Sequence, residues 1–326
     1  MKRTIPVIAA AALIVASQCT AYAQQFPTKT VRIIVPFLGG AAPDLIARLV
    51  AEGLTKTFGK PVIVENKTGA NGNIAAEDIL HSPADGHSIL FGVDASIVVN
   101  PHLYKLNFDP LKDLTPVASL ASNQLLLGVN NDLPARNLKE FVELAKTSNP
   151  PLTYSSSGIG SQHHLAMELL MRRAGIPKMV HVPFKGAVAG VSAVIAGETK
   201  AGFSGSASTP QVKAGRMRGI AVSGTKRSDT FPDLPTIAET YPGYSVEVWF
   251  GLLVRAGTPD AVVEQLNKSV RDLLSQPDFV ARMRSSGSVD VLNISRQDFG
   301  ELIKTDYEKY GRIVSELGIK QADQQP

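Results

Sequence analysis

The sequence contains one cysteine, Cys19, in 326 residues. A mature chain without other thiols has no disulfide framework, no thiol nucleophile and no Cys-ligated metal. Long hydrophobic runs are missing too: Ile5 to Ala16 is too short to span a bilayer, and no other stretch reaches that length. With Lys2 and Arg3 before it and Ala21-Tyr22-Ala23 behind it, this run reads as a secretory signal peptide over residues 1–23, cut after Ala23. Cys19 falls inside it, and Gln18 argues against a lipoprotein site. Export without disulfides fits a bacterial periplasm. Charge of one sign is scarce. The chain has 33 Lys and Arg against 29 Asp and Glu, and loss of Lys2 and Arg3 lowers the net charge from +4 to +2. No run of basic residues is interleaved with aromatics, which excludes nucleic acid as a partner.

Catalytic signatures are also lacking. There is no Walker loop and no G-x-G-x-x-G, since Gly158 and Gly160 are followed by His163 at the third glycine position. Ser156 and Ser157 lack the G-x-S-x-G frame, and no solenoid repeat occurs. His163 and His164 are adjacent and cannot share a helix face, so with Glu168 they form no metal site by spacing. Ser161, His164 and Asp94 are the set from which a secreted serine hydrolase would be built, and nothing in their spacing brings them together.

What is present is alternation of strands, small-residue loops and helices. About 300 mature residues with 44% hydrophobic content exceed one ordinary core and predict two domains. Val31 to Val35 is a β-branched run suited to a buried parallel strand, ended by Pro36. Leu45, Ile46, Leu49, Val50, Leu54 and Phe58 mark one face of the helix that follows. Between them, Phe37, Leu38, Gly39, Gly40, Ala41 and Ala42 form a loop that is either a carboxylate or phosphate cradle or a tight strand-to-helix turn. Strands at 61–65 and 88–93 repeat the pattern, and a parallel sheet places Asp94, Ala95 and Ser96 at the ligand end of the third. Residues 100–116 read as loop.

A second domain is expected from about residue 125. Asn137 caps a helix over 138–147, and Thr153 to Ser161 leads into a helix over 162–174. Four serines and two glycines there, including Ser156, Ser157, Gly158, Gly160 and Ser161, can hold an anion by hydroxyls and helix N–H groups, or simply cap the helix. Lys185-Gly186 opens an apolar helix over 187–196, and Ser204-Gly205-Ser206 is a further small polar loop. Residues 245–254 form an extended segment returning to the first domain. Thr258-Pro259-Asp260 starts a helix with Thr258 as N-cap, and Ser295 with Asp298 starts the last.

Taken together, the segments resemble the Bug family of extracytoplasmic solute receptors, related to tripartite tricarboxylate transporters. The likeness rests on Pro36-Phe37 with Asp44 and Arg48; Asn66-Lys67 with Gly69-Ala70 and Gly72; Asp85-Gly86; and Asn100-Pro101 with Leu103-Tyr104. It continues through Ser156-Ser157-Gly158 with Gly160-Ser161 and His164-Leu165, Val182 to Gly186, Leu234-Pro235-Thr236 with Glu239, and Trp249-Phe250-Gly251 with Thr258-Pro259. The resemblance implies an α/β, periplasmic binding protein-like (type II) Venus-flytrap, two α/β domains joined by two crossing strands. Its domains would be 24–124 with 245–326, and 125–244. It further implies a monomeric, non-enzymatic periplasmic receptor without cofactor or metal, handing a small carboxylate to membrane transporter subunits; a ligand sensor serving a signalling partner is the alternative. The ligand site implied is Phe37 to Ala42 with Asp94, Ala95 and Ser96 on one side, and Ser156 to Ser161, Lys185-Gly186 and Ser204 to Ser206 on the other.

Two positions depart from that family's pattern. Ala41 stands where the second of two glycines is usual, and Ser204 where an aspartate often follows the strand phenylalanine. Losing that carboxylate removes a partner for a ligand amine. The expected ligand is therefore a dicarboxylate or aromatic acid without a cationic group.

Overall fold

The computed structural model describes residues 26–318 apart from Asp229 and Ser288. The expected signal peptide, with Cys19, lies outside them. The chain builds one sheet, leaves it, builds a second and returns. The first lobe comprises β1 (Val31–Val35), α1 (Ala42–Phe58), β2 (Val62–Asn66), α2 (Asn73–His81), β3 (Ser88–Val93) and β4 (Leu114–Gln124). The second holds β5 (Leu126–Val129), α3 (Leu138–Thr147), β6 (Thr153–Ser156), α4 (Gln162–Ala174), β7 (Val180–Pro183), α5 (Ala187–Ala196), β8 (Ala201–Ser204) and β9 (Arg218–Val222). The return runs through β10 (Glu247–Arg255), α6 (Asp260–Leu274), α7 (Pro277–Gly287), β11 (Asp290–Val291) and α8 (Arg296–Leu317).

Strand order is β11-β4-β10-β3-β1-β2 in the first sheet and β7-β6-β8-β5-β9 in the second. β1 is parallel to β2 and β3, whereas β10 runs antiparallel to both β3 and β4, making the sheet mixed. β6 likewise lies parallel to β7 and β8, and β5 antiparallel to β8 and β9. β4 and β10 pair along their whole length, from Leu114 with Arg255 to Gln124 with Glu247. They are the two crossing strands between the lobes. Beyond their paired ends, Ser223 N–H donates to Leu125 O and Val246 N–H to Ser223 O, so both crossings are tied to the end of β9.

Local sequence explains these elements. Val31, Ile33, Ile34 and Val35 are wholly buried, as a central parallel strand covered on both faces requires. Ile46, Ala47, Val50 and Leu54 form the buried stripe of α1. Asn137 caps α3 by accepting the Glu140 N–H, and Ser161 caps α4 by accepting that of His164. Several expectations are corrected. Asp94 to Ser96 follows the end of β3 and leads into a π-helical turn over Ala95–Val99, and the 100–116 region, expected as loop, contains helical turns at Asn100–Leu103 and Pro110–Asp113. Ser204 is the last residue of β8 rather than a loop residue. Thr258 does not cap α6: its hydroxyl turns back to Arg255 O, and Pro259 occupies the N-cap position.

Candidate ligand-binding cleft

Three strand-end segments lie on the first lobe: the loop Phe37 to Ala41 after β1, residues 67–72 after β2, and Asp94 to Ser96, which opens the π-helical turn after β3. A Cβ built on Gly72 would lie 3.0 Å from Ser96 Cβ and 3.4 Å from Pro36 Cβ, so the second segment packs against the third and against the residue that ends β1. Buried Asp44 organises the first. Its carboxylate accepts hydrogen bonds from Gly40 N–H at 2.8 Å, Arg48 Nε at 2.9 Å and Asn66 Nδ2 at 2.8 Å. Asn66 Nδ2 also donates to Phe37 O at 2.9 Å. Burial works to raise the Asp44 pKa, but the bonds from Arg48, Gly40 and Asn66 outweigh it and hold the carboxyl below its ordinary range. Gly40 turns the loop at φ +85°. Ala41 sits at φ −70°, ψ 156°, extended backbone that alanine adopts freely, so its methyl group imposes no backbone strain.

On the second lobe, the Ser156 to Ser161 loop is held by three of the chain's six histidines. His181 Nε2 lies 2.7 Å from Ser156 Oγ, His163 Nδ1 lies 2.6 Å from Ser157 Oγ, and His164 Nδ1 accepts the Gly160 N–H at 3.1 Å. Within the loop, Ser156 Oγ accepts the Gly158 N–H at 3.1 Å and Ser161 Oγ donates to Gly158 O at 2.7 Å. Much of the loop's hydrogen-bonding capacity is thus used to hold its own shape. Burial pushes His163 and His164 down to about 4, with nearby His181 adding to the effect on His164, and burial lowers His181 as well. Lys185 and Gly186 are exposed on the adjoining loop, where Phe184 O is 3.9 Å from a Cβ built on Gly158. Buried Ser204 closes β8, and Gly205 beyond it packs against Asn123 of β4.

The two sets of loops face each other. The Gln162 side-chain amide, at the first position of α4, donates to the Asp94 carboxyl across the lobes. Tyr104 Oη lies 3.5 Å from Ile159 O, and a Cβ on Gly160 would come within 2.5 Å of Leu103 Cδ1. Asp94 is fully buried, and that desolvation pushes its pKa well above the carboxylate range against the opposing bonds from Ala95 N–H and Gln162. Asp94 Oδ1, Gln162 Oε1, Ser204 Oγ and Asn73 Nδ2 are buried without a hydrogen-bond partner among the described residues. Asp94 and Gln162 thus leave hydrogen-bonding capacity unused at the point where the two lobes meet.

Across the lobes the structure thus brings Asp94 to Gln162, and Leu103 and Tyr104 to the 159–160 segment. Ser161, His164 and Asp94 do not form a relay: Ser161 Oγ contacts His164 only through the backbone N–H, and the Asp94 carboxyl pairs with Gln162. Among the described residues no three His, Asp or Glu side chains gather in metal-binding geometry. Gln162, Asn73 and Asn123 were not singled out in the sequence, and Tyr104 entered only through the family resemblance, not as a site residue. A signal exists for two of them, since Asn73 and Gln162 each open a helix directly after a glycine-containing loop at a strand end.

A family model described as "Tripartite tricarboxylate transporter family receptor" matches residues 46–319. The chain belongs to this family. A UPF0065 protein of Bordetella pertussis is 34% identical over 318 residues, spanning 96% of this chain and 97% of the relative. Among solved structures, Rpa4515 of R. palustris with adipate superimposes at a TM-score of 0.83 with 31% identity, covering 91% of this chain and all of that one. MatC of Rhodopseudomonas palustris with bound malate gives a TM-score of 0.78 and 30% identity, covering 89% of this chain and all of the other. The two-lobed α/β binding-protein fold and the receptor family expected from the sequence both hold.

Proposed function

We propose that this chain is a periplasmic solute-binding protein that captures a small organic carboxylate between its lobes and delivers it to the membrane subunits of a tripartite tricarboxylate-type transporter. The observation that carries the reading is the meeting of the β3 strand end at Asp94 with Gln162, the first residue of the helix that follows the Ser/Gly-rich loop of the other lobe. The units that close are residues 24–124 with 245–326, and 125–244. Adipate and malate, carried by Rpa4515 and MatC, are both carboxylates.

The charge states favour an acid without an amine, a dicarboxylate or aromatic acid. Ser204 offers a hydroxyl where a carboxylate would pair an ammonium group. Asp44 is ionised but engaged by Arg48, Gly40 and Asn66, while burial pushes the Asp94 carboxyl toward its neutral form. Exposed Lys185 adds a positive charge beside the second-lobe loop. A thermal-shift screen of the ligand-stripped protein against mono-, di- and tricarboxylates tests the reading. An acid present at a hundred times its dissociation constant adds about 2.7 kcal/mol, which raises Tm by roughly 5 °C in a chain of this size. No shift with any carboxylate would overturn it.

A further inference from the structure

His164 sits between two ring systems and a backbone amide. Its imidazole stacks on His181 of β7 with centroids 4.1 Å apart and planes 5° apart, and His181 in turn stacks on Tyr154 of β6 at 4.8 Å. Its Nδ1 accepts the Gly160 N–H, while Nε2 lies 3.7 Å from Glu168 Oε1, which also receives the Tyr154 hydroxyl proton. From the first lobe, Tyr104 reaches the same loop at Ile159 O. The groups facing the ring are thus Tyr154, His181 and Glu168, with Tyr104 of the first lobe meeting the loop rather than the ring. An Nδ1 that accepts an amide proton carries none of its own. Protonation would set two donors against each other at Gly160 and place a second potential cation against His181.

We propose that His164 is a pH-sensitive positioning residue: neutral, it fixes the Gly160 amide and with it the Ser156 to Ser161 loop in ligand-competent form, and protonated, it releases that loop and the ligand. This rests on the carboxylate-receptor reading and adds its regulation. The sign follows from linkage. The ordered loop keeps His164 near 4, whereas a free imidazole titrates at about 6.5, so the ordered form is disfavoured progressively as pH falls from about 6.5 toward 4. His181, also lowered by burial, acts in the same direction.

The test has a ligand arm and a ligand-free arm. Isothermal titration of adipate into the wild-type chain is expected to give a dissociation constant on the order of tenfold larger at pH 5 than at pH 7.5. His164→Asn keeps an acceptor near the Nδ1 position but cannot be protonated; it should bind within about threefold of wild type at pH 7.5 and lose most of the pH dependence. Because both proteins meet the same ligand, protonation of adipate itself cancels in the comparison. In the ligand-free protein, the amide resonance of Gly160 should move with the same midpoint as the His164 ring. A variant whose affinity falls with pH as steeply as wild type, or a Gly160 resonance that stays fixed while His164 titrates, overturns the proposal. If adipate does not bind the wild type at pH 7.5, the fault lies with the ligand reading, and the Gly160 resonance decides this inference alone.

Discussion

Asp44 and Asp94 are both buried carboxyls beside the first-lobe strand ends, yet their surroundings shift them in opposite directions. Asp44 is met by a guanidinium, a backbone N–H and an amide, enough to hold it ionised. Asp94 is met by two neutral donors, Ala95 N–H and Gln162, and desolvation wins. Asp44→Ala should therefore loosen the Phe37 to Ala41 loop, weaken carboxylate binding and destabilise the fold by about 1–3 kcal/mol at pH 7. The folded pKa of Asp44 is depressed, so its contribution is present above the ordinary carboxylate range and lost as pH falls through the folded value. Chemical denaturation of variant and wild type should show the gap narrowing below pH 4, and a gap unchanged from pH 7 to pH 3 would contradict this. Only part of this was legible in the sequence. Asp44 was visible as a helix-start residue and Asp94 as a strand-end residue, but their partners lie 22 and 68 positions away in Asn66 and Gln162.

Among the elements, α8 joins what the crossing strands divide. Tyr310, Ile313 and Val314 belong to one continuous core with Ile97 and Leu103 of the first lobe and Leu165 and Leu169 of α4. Asp306 accepts the Trp249 indole N–H at 3.0 Å and pairs with Lys309, fixing the helix to β10. Tyr310 is wholly buried, so Tyr310→Ala should cost about 3–5 kcal/mol, read as a lowered midpoint in urea. A loss under about 1 kcal/mol would show that the helix is not structural to the junction. The side-chain-capped α3 and α4, and the apolar α5 between two glycines, begin and end where the pattern places them. Other elements were not legible. The turns at Asn100–Leu103 and Pro110–Asp113 are too brief to show a period, and α7 offers only Phe279 and Met283 as fully buried anchors in a polar run. The Thr258 cap failed because Pro259 redirects the backbone and the hydroxyl finds Arg255 O instead.

At the scale of the molecule, two mixed sheets hold their strand-end loops against each other through β4, β10 and α8. Alternation of strand and helix, with one return segment late in the chain, made the two-lobed arrangement legible. The histidine-held loop was not, because His181 lies 25 positions from Ser156 and reaches it only through the pairing of β6 with β7. The central claim is that this cleft holds a carboxylate and has no place for an ammonium group. Isothermal titration of the ligand-stripped protein with matched pairs, adipate against 2-aminoadipate and succinate against aspartate, tests it most directly. The account predicts measurable binding in at least one pair, with the amine-free acid at least tenfold tighter, a difference of about 1.4 kcal/mol. Equal or tighter binding of the amino acid in each pair that binds, or no heat with any of the four, would contradict it.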